Sequence, residues 1–154
     1  MIIALLALLI GVVAGLRTFT APAAVSWAAH LGWLSVGDSA LAFMGYAWTP
    51  WILTVMVLVE TVVDQLPSTP SRTVPMQFGS RLISAALSGA TIGAAAGSLV
   101  VGGIAGIVGA VIGTYGGAAA RKHLAAAFRK DMPAAFLEDA VAIVAAVLIV
   151  AAAR

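Results

Sequence analysis

The chain has 154 residues, of which 62% are hydrophobic and 9% are charged, and its mean hydropathy is +1.10. A soluble domain carries about 25% charged residues, so eight basic and six acidic side chains are too few to cover a globule of this size with a wettable surface. The composition predicts one all-α transmembrane domain over residues 1–154, a polytopic helical bundle that contacts the lipid bilayer. A formal charge of only +2, without basic residues interleaved with aromatic ones, excludes a nucleic-acid partner.

Six apolar segments follow one another along the chain, and about 20 such residues are needed to cross the hydrocarbon core. The third to sixth are long enough to span, although Pro50 is expected to kink or break the third. The first two are short, and only Arg17 and Thr18 separate them. The segments are Ile2–Leu16, Phe19–Leu34, Leu41–Val63, Leu82–Val100, Val101–Ala120 and Ala134–Ala153.

Residues 2–34 allow two interpretations. Two short or re-entrant helices could meet around Arg17, or one long tilted helix could carry this arginine inside the bundle. Thr18, Thr20 and Pro22 suit the start of a helix better than its middle, which favours the broken form. Irregular backbone at membrane depth is stable only where protein or a water-filled cavity covers it.

Six spans would sort the charges by side of the membrane. One side would carry seven basic residues, and the other would carry the amino terminus, Asp38 and Arg154. Because cytoplasmic loops are enriched in lysine and arginine, we expect a multi-pass protein of the cell inner (cytoplasmic) membrane with this basic side in the cytoplasm. The seven residues are Arg17, Arg72, Arg81, Arg121, Lys122, Arg129 and Lys130.

The six segments also divide into two groups of three, residues 1–77 and 78–154. The first half contains Gly15-Leu16-Arg17 and the second Gly79-Ser80-Arg81, and each half has an acidic pair on or beside its third segment. An inverted 3+3 repeat of the kind found in transporters would produce this pattern. Chance similarity in a low-complexity apolar chain explains it at least as well.

Glycines recur at four-residue spacing in the second half of the chain. This spacing places them on one helix face, where missing side chains let two backbones approach closely. Tight helix packing, within one chain or in a homo-oligomer (a dimer or larger), is the first interpretation, and a glycine-lined pore is the second. The packing residues are Gly89, Gly93, Gly97, Gly102, Gly106, Gly109, Gly113 and Gly117.

Glu60 and Asp64 lie four residues apart at the carboxyl end of the third segment. On a helix they would share a face, repel one another and oppose the negative helix terminus. They would then need a cation, a proton or an arginine to compensate them, and a pair that binds a proton or cation would titrate as a unit, as ion-handling carboxylates in membranes do. Alternatively, both are solvated at the level of the lipid headgroups.

Glu138 and Asp139 follow Pro133 near the start of the sixth segment, where acids suit the positive end of a helix. Arg17 and Arg81 each closely follow a glycine at a segment edge, and an arginine near hydrocarbon is costly unless it is paired or hydrated. These acids and arginines could form structural ion pairs inside the bundle. Substrate recognition is the alternative.

The loop Pro67–Thr73 concentrates hydrogen-bond donors, because it contains four hydroxyl residues and Arg72. Such donors suit an anionic group, although a proline-stiffened turn would use the same residues. We therefore predict a substrate or ion pathway that draws on this loop and the charged segment ends. The candidate pathway residues are Arg17, Thr18, Glu60, Asp64, Ser68, Thr69, Ser71, Arg72, Arg81, Glu138 and Asp139.

The sequence contains no recognisable catalytic, cofactor or metal-binding motif, and it has no cysteine. We expect no enzyme activity, no cofactor and no metal. The leading hypothesis is a small transporter or channel, coupled to protons or cations, that moves a small anionic or zwitterionic solute. The alternative is a non-transporting membrane scaffold that assembles through its glycine-rich faces.

Three short motifs carry a family resemblance: Gly15-Leu16-Arg17, Glu60–Pro67 (Glu-x3-Asp-x2-Pro) and Leu137-Glu138-Asp139. They resemble the signature of a family of small, glycine-rich bacterial inner-membrane proteins, catalogued as domain of unknown function four-one-two-six. The resemblance covers nearly the whole chain and implies a polytopic inner-membrane protein, without an activity or substrate. A Pro-Ser-Thr-Pro loop stands here in place of the Asp-containing loop of many members, so a shared loop function does not transfer.

Overall fold

A computed structural model describes all residues from 1 to 154. The chain forms six α-helices and one short 3₁₀ helix, without β-strands, which confirms the all-helical prediction. The α-helices are α1 (Ile2–Leu16), α2 (Thr20–His30), α3 (Thr49–Val63), α4 (Pro75–Ala95), α5 (Leu99–Phe128) and α6 (Asp131–Ala152). The 3₁₀ helix, Ala42–Gly45, lies between α2 and α3.

Successive helices run in opposite directions. On α4 and α5, Gly89 faces Gly102 and Gly106, which fixes these neighbours as antiparallel. After α6, the Arg154 guanidinium lies 5.4 Å from the centre of the ring of Trp33, which follows α2. The turns therefore gather at two ends. The basic end contains residues 17–19, 64–74 and 129–130, and the tryptophan end contains both termini and residues 31–48 and 96–98.

Helix α5 lies at the centre of the bundle, where it packs against α1, α4 and α6. Glycines let it approach two of them closely, because Gly109 and Gly113 face the α1 backbone while Gly102 and Gly106 face α4. The apolar core continues into α2 and α6 through buried Val25 and Ile149. By contrast, α3 packs mainly on α2 and the 3₁₀ helix.

The α1–α2 region is broken at Arg17, so the expectation of two short helices is confirmed. Arg17 has an extended backbone with φ −138°, and Pro22 lies in the first turn of α2, where its missing N–H costs little. Because α2 returns towards the tryptophan end, α1 and α2 form a helical hairpin whose turn lies at the basic end.

Several segment boundaries differ from the sequence prediction. Pro50 lies in the first turn of α3 instead of kinking it, because a proline there needs no N–H partner, and α3 therefore has 15 residues. The α4–α5 turn contains Gly97, whose φ of +68° favours glycine. The turn between α4 and α5 therefore precedes the predicted boundary between the fourth and fifth segments, at residues 100 and 101. The two glycine-arginine elements also occupy different places, since Arg17 ends α1 whereas Arg81 lies two turns inside α4.

Two helices, α5 and α6, are long and apolar enough to cross a membrane. Helices α1 and α3 are apolar but have 15 residues each, which corresponds to about 22 Å of helix against a hydrocarbon core of about 30 Å. Helix α3 is therefore shorter than the predicted third segment. Helix α4 has 21 residues, but Gln77, Ser80 and Arg81 in its first turns make it less apolar than α5 and α6. The six-span bundle stays a prediction.

Candidate functional site

Arg17 joins three parts of the fold at the basic end. Its side chain is 4% exposed, and its Nη1 donates a hydrogen bond to Oδ2 of Asp64, at the end of α3, at 2.6 Å. Its Nη2 donates to Oδ1 of Asp139, on α6. The second carboxylate oxygen of Asp139 is buried without a hydrogen-bond partner. One guanidinium is therefore shared by two carboxylates, and this cluster carries one excess negative charge.

Glu60 stabilises the turn of the α1–α2 hairpin. Its carboxylate accepts hydrogen bonds from the backbone N–H of Thr18 at 2.6 Å and of Phe19 at 3.0 Å. These groups lie at the amino terminus of α2, where the helix dipole also favours a negative charge. Glu60 and Asp64 thus each have their own partner. The compensation expected for this pair of like charges comes from the hairpin turn, as an arginine for Asp64 and backbone N–H groups for Glu60.

Arg81 is buried without a carboxylate partner. Its exposed fraction is 3%, and its Nη1 donates to the carbonyl oxygens of Gly15 at 3.1 Å and Leu16 at 2.9 Å. These carbonyls end α1 and have no intrahelical donor. The Arg81 Nε has no hydrogen-bond partner, and no ion pair forms at this residue within 4.0 Å.

Arg72 ties the loop Pro67–Thr73 to α6. Its guanidinium forms two hydrogen bonds to the Glu138 carboxylate, of which the Nη2–Oε2 bond measures 2.8 Å. Arg121 approaches the same carboxylate at 3.5 Å and also holds Asp131 through bonds of 3.0 and 2.7 Å. Gly117 lies beside this cluster, and a Cβ at that position would meet Arg72.

A polar cavity of about 300 Å³ lies between this loop, α4 and the end of α5. Its lining includes four cations and two carboxylates, and one of the cations is Arg81, which has no carboxylate partner. Lys122 also forms no ion pair, so two cations of the lining have no carboxylate partner within 4.0 Å. A cleft with an excess of one charge concentrates the opposite ion. The charged lining residues are Arg72, Arg81, Arg121, Lys122, Asp64 and Asp131.

A second, mostly apolar cavity of about 390 Å³ lies between α3 and α4. Thr18 and Glu60 lie at its polar side, and Asp64 and Gln77 belong to the linings of both cavities. We call the first the cationic cavity and the second the α3–α4 groove. The groove residues Met56 and Val59 are 37% and 55% exposed, so the groove opens on the outer surface of the bundle.

The predicted pathway residues are distributed unevenly over these cavities. Thr69 and Ser71 line the cationic cavity, whereas Ser68 is exposed and lies outside its lining. The sequence interpretation missed Gln77 as a lining residue. It also left Arg121 and Asp131 out of the candidate pathway, although opposite charges on either side of a short helix connection are a usable signal.

Most of the glycines predicted to pack helices lie at contacts between helices of the same chain. Gly89, Gly93, Gly102 and Gly106 lie at the α4–α5 contact, and Gly109 and Gly113 at the α1–α5 contact. At each of these positions a Cβ would fall within 3.0 Å of the neighbouring backbone. These surfaces are therefore occupied by the chain's own helices. Gly97 instead lies in the α4–α5 turn, and Gly117 lies beside the Arg72 cluster.

No protein-family model matches the chain, and no curated protein or solved structure matches it. The resemblance to domain of unknown function four-one-two-six stays a prediction. The structure contains no group of three or more histidine, cysteine or carboxylate side chains placed to hold a metal ion.

Proposed function

We propose that this chain is a small multi-pass protein of the inner membrane that moves a small anionic or zwitterionic solute through its basic end. One observation carries the proposal: Arg81 is buried at the wall of a polar cavity and has no carboxylate partner. A buried charge is normally paired, because removing it from water is costly. An anionic solute group in the cavity would supply the missing partner.

Charge placement supports a membrane orientation. The six helices alternate in direction, and seven basic residues lie at or near the basic end, which gives the asymmetry expected of a cytoplasmic side. The α1–α2 hairpin would then be a re-entrant element. Its turn is covered by α3 and α6 through Asp64 and Asp139, which meets the requirement that irregular backbone at membrane depth be enclosed by protein.

The Arg17 cluster supports coupling to protons or cations. Two carboxylates share one guanidinium, and the free oxygen of Asp139 is available for a proton or cation. Proton relays in membranes use buried carboxylates of this kind. Asp139→Asn should therefore abolish the pH dependence of transport while the chain still folds. A folded Asp139→Asn variant with wild-type pH dependence would contradict this assignment.

Flux into proteoliposomes tests the transport proposal. Wild-type protein should take up at least one solute from a panel of small anions and zwitterions, and Arg81→Gln should reduce that uptake at least tenfold. Lys130→Gln is the matched control, because it removes an exposed positive charge from the same end, outside the cavity lining. Circular dichroism and gel filtration check that both variants fold. The proposal fails if no solute is taken up, or if Arg81→Gln transports as well as Lys130→Gln.

We also propose that the chain forms a homo-oligomer through α3. The outer face of α3 is apolar and exposed at Trp51, Val55, Leu58 and Val62, and the helix packs mainly on α2 and the 3₁₀ helix. Because the chain has no cysteine, Leu58→Cys should give a disulfide-linked dimer in native membranes, whereas Leu148→Cys on exposed α6 should not. Equal cross-linking of both variants would contradict an α3 contact.

The scaffold hypothesis relied on glycine-rich faces that bind other helices. In this structure those faces contact α1, α4 and α5 of the same chain. A scaffold would therefore have to use another exposed apolar face, such as that of α3. Stable oligomers combined with an absence of flux over the whole solute panel would favour the scaffold over the transporter.

A further inference from the structure

We propose that the solute is an amphipathic phosphate monoester drawn from the bilayer, with its phosphate in the cationic cavity and its alkyl chain in the α3–α4 groove. This assignment deepens the proposed function and rests on it. It follows from the adjacency of two cavities with opposite chemistry, one rich in arginine and the other apolar and open to the outer surface of the bundle.

The charge of the cationic cavity matches a phosphate monoester. Arg81 and Lys122 are the two lining cations without an ion pair, whereas Arg72 and Arg121 are held by Glu138. A phosphate monoester carries about −1.5 to −2 charges at pH 7 and three acceptor oxygens. It would thus pair both free cations at once, and the arginine fork suits its geometry. A monovalent carboxylate would leave one cation unpaired.

The α3–α4 groove has the composition of a site for a hydrocarbon chain. Phe19, Met56, Val59, Val63 and Met76 supply its apolar wall. The groove exists because α3 packs on α2 and hardly touches α4, although the two helices are consecutive in the chain. In a membrane its open side would face lipid, so an alkyl chain could enter sideways without crossing water.

The two cavities meet at Asp64 and Gln77, which line both. Asp64 is hydrogen-bonded to Arg17, which offsets part of its repulsion of an incoming phosphate, although the Arg17 cluster as a whole keeps one excess negative charge. The meeting point lies at the basic end, which the proposed orientation places near the cytoplasmic headgroups. A phosphate in the cationic cavity would therefore direct its ester oxygen and chain towards the groove.

A chain-length series tests this assignment on the full-length protein in phosphatidylcholine nanodiscs. Inorganic phosphate, butyl phosphate and octyl phosphate are titrated, and affinity is measured from the ligand-dependent rise in melting temperature. Empty nanodiscs correct for partition of octyl phosphate into lipid. Each methylene buried in the groove should strengthen binding by up to about fourfold. Octyl phosphate should therefore bind at least tenfold more tightly than butyl phosphate.

Three variants separate head-group recognition from chain recognition. Arg81→Gln should weaken all three ligands at least tenfold. Val59→Trp, which fills the groove, should remove the chain-length dependence and leave the affinity for inorganic phosphate unchanged. Leu137→Trp is the matched control, because Leu137 lines a separate apolar cavity of about 220 Å³ between α5 and α6. It should leave the chain-length series as in the wild type.

The possible results distinguish the two proposals. Equal affinity for all three ligands, or a chain-length series that survives Val59→Trp, overturns the amphipathic solute but leaves anion binding at Arg81 intact. If Leu137→Trp alone removes the series, the chain lies between α5 and α6 and the groove assignment is wrong. If none of the ligands binds in an Arg81-dependent way, the phosphate assignment fails, and uptake of another anion in proteoliposomes decides whether the transport proposal survives.

Discussion

The helices are held together differently at the tryptophan end and at the basic end of the bundle. Towards the tryptophan end, α1, α4 and α5 touch backbone to backbone through glycines such as Gly11, Gly89 and Gly106. Towards the basic end, side chains make the connections instead: Arg17 joins the end of α1 to α3 and α6, and Arg72 joins the loop before α4 to α6. The glycine contacts leave no room for a solute between α1, α4 and α5, whereas two cavities lie at the basic end.

This difference has an energetic reason. Close contacts at glycines gain van der Waals attraction and bury no charge that would need a partner, so they are stable in an apolar surrounding. Buried ion pairs lose hydration, and pairs of this kind often stabilise a protein less than apolar side chains would. Their concentration at one end is therefore weak evidence for a structural role. A concentration of charge at one end is what the proposed anion site would require.

The largest effect is expected where the glycine contact is broken. Gly113→Leu would drive a side chain into the backbone of Val12 on α1, and neither helix can yield without losing its other contacts. We expect a loss of more than about 3 kcal/mol, beyond ordinary overpacking, because backbone blocks the side chain. The measurement is folded yield and melting temperature in detergent.

Gly116→Leu is the matched control for this change. Gly116 lies three residues further along α5, and a Cβ there has no atom within 4 Å. Its melting temperature should stay within a few degrees of the wild type. If the two variants were equally stable, the close α1–α5 contact would be refuted.

The next largest effect is expected at the Arg17 cluster. Arg17→Met leaves the Asp64 and Asp139 carboxylates buried without their cation, and breaking a buried pair in this way costs about 3–5 kcal/mol. The double variant Arg17→Met/Asp139→Asn should recover part of the loss, because it removes one of the stranded charges. Additive effects of the two substitutions in a double-mutant cycle would show that these residues do not interact.

Local patterns in the sequence anticipated the glycine contacts and the break at Arg17, but few of the side-chain contacts at the basic end. Four-residue glycine spacing and the break at Arg17 are properties of neighbouring residues, and both correspond to features of the structure. The partners of the charged residues are not local, since Arg17 and Asp139 are 122 positions apart. Glu60 was placed on the right helix end, but its partners are backbone N–H groups, which no residue pattern reveals.

The length of the helices was also only partly predictable. Pro50 was interpreted as a kink or break within a long span, whereas it lies in the first turn of α3. Residues 75–81 were left outside the fourth segment because they are less apolar, yet they form its first turns. Hydropathy identifies what a helix contacts, and backbone hydrogen bonding decides where it begins. The end of an apolar segment and the end of a helix therefore need not coincide.

A moderate effect is expected at the hairpin turn. Glu60→Gln keeps an acceptor for one N–H of the α2 terminus and removes the charge that both Thr18 and Phe19 contact. Hydrogen bonds to charged groups contribute about 1.5–3 kcal/mol, and the amide should retain part of this, so we expect a loss of about 1–2 kcal/mol. Thr61→Val is the control, because the Thr61 hydroxyl bonds only within its own helix, to Val57. Equal melting temperatures for Glu60→Gln and the wild type would contradict the cap.

The smallest effect is expected at the edge of the basic end, where Arg121 and Asp131 join α5 to α6. The pair has good geometry, with bonds of 3.0 and 2.7 Å, but the Asp131 side chain is 63% exposed. Exposed ion pairs contribute about 0.2–1 kcal/mol because water and salt screen them. Asp131→Asn should lower stability by that amount at low salt, and the difference from the wild type should shrink in 1 M salt. A loss of stability as large as that of Arg17→Met, or one insensitive to salt, would mean that this connection is enclosed in the assembled protein. The contrast between a buried cluster and an exposed edge would then no longer hold.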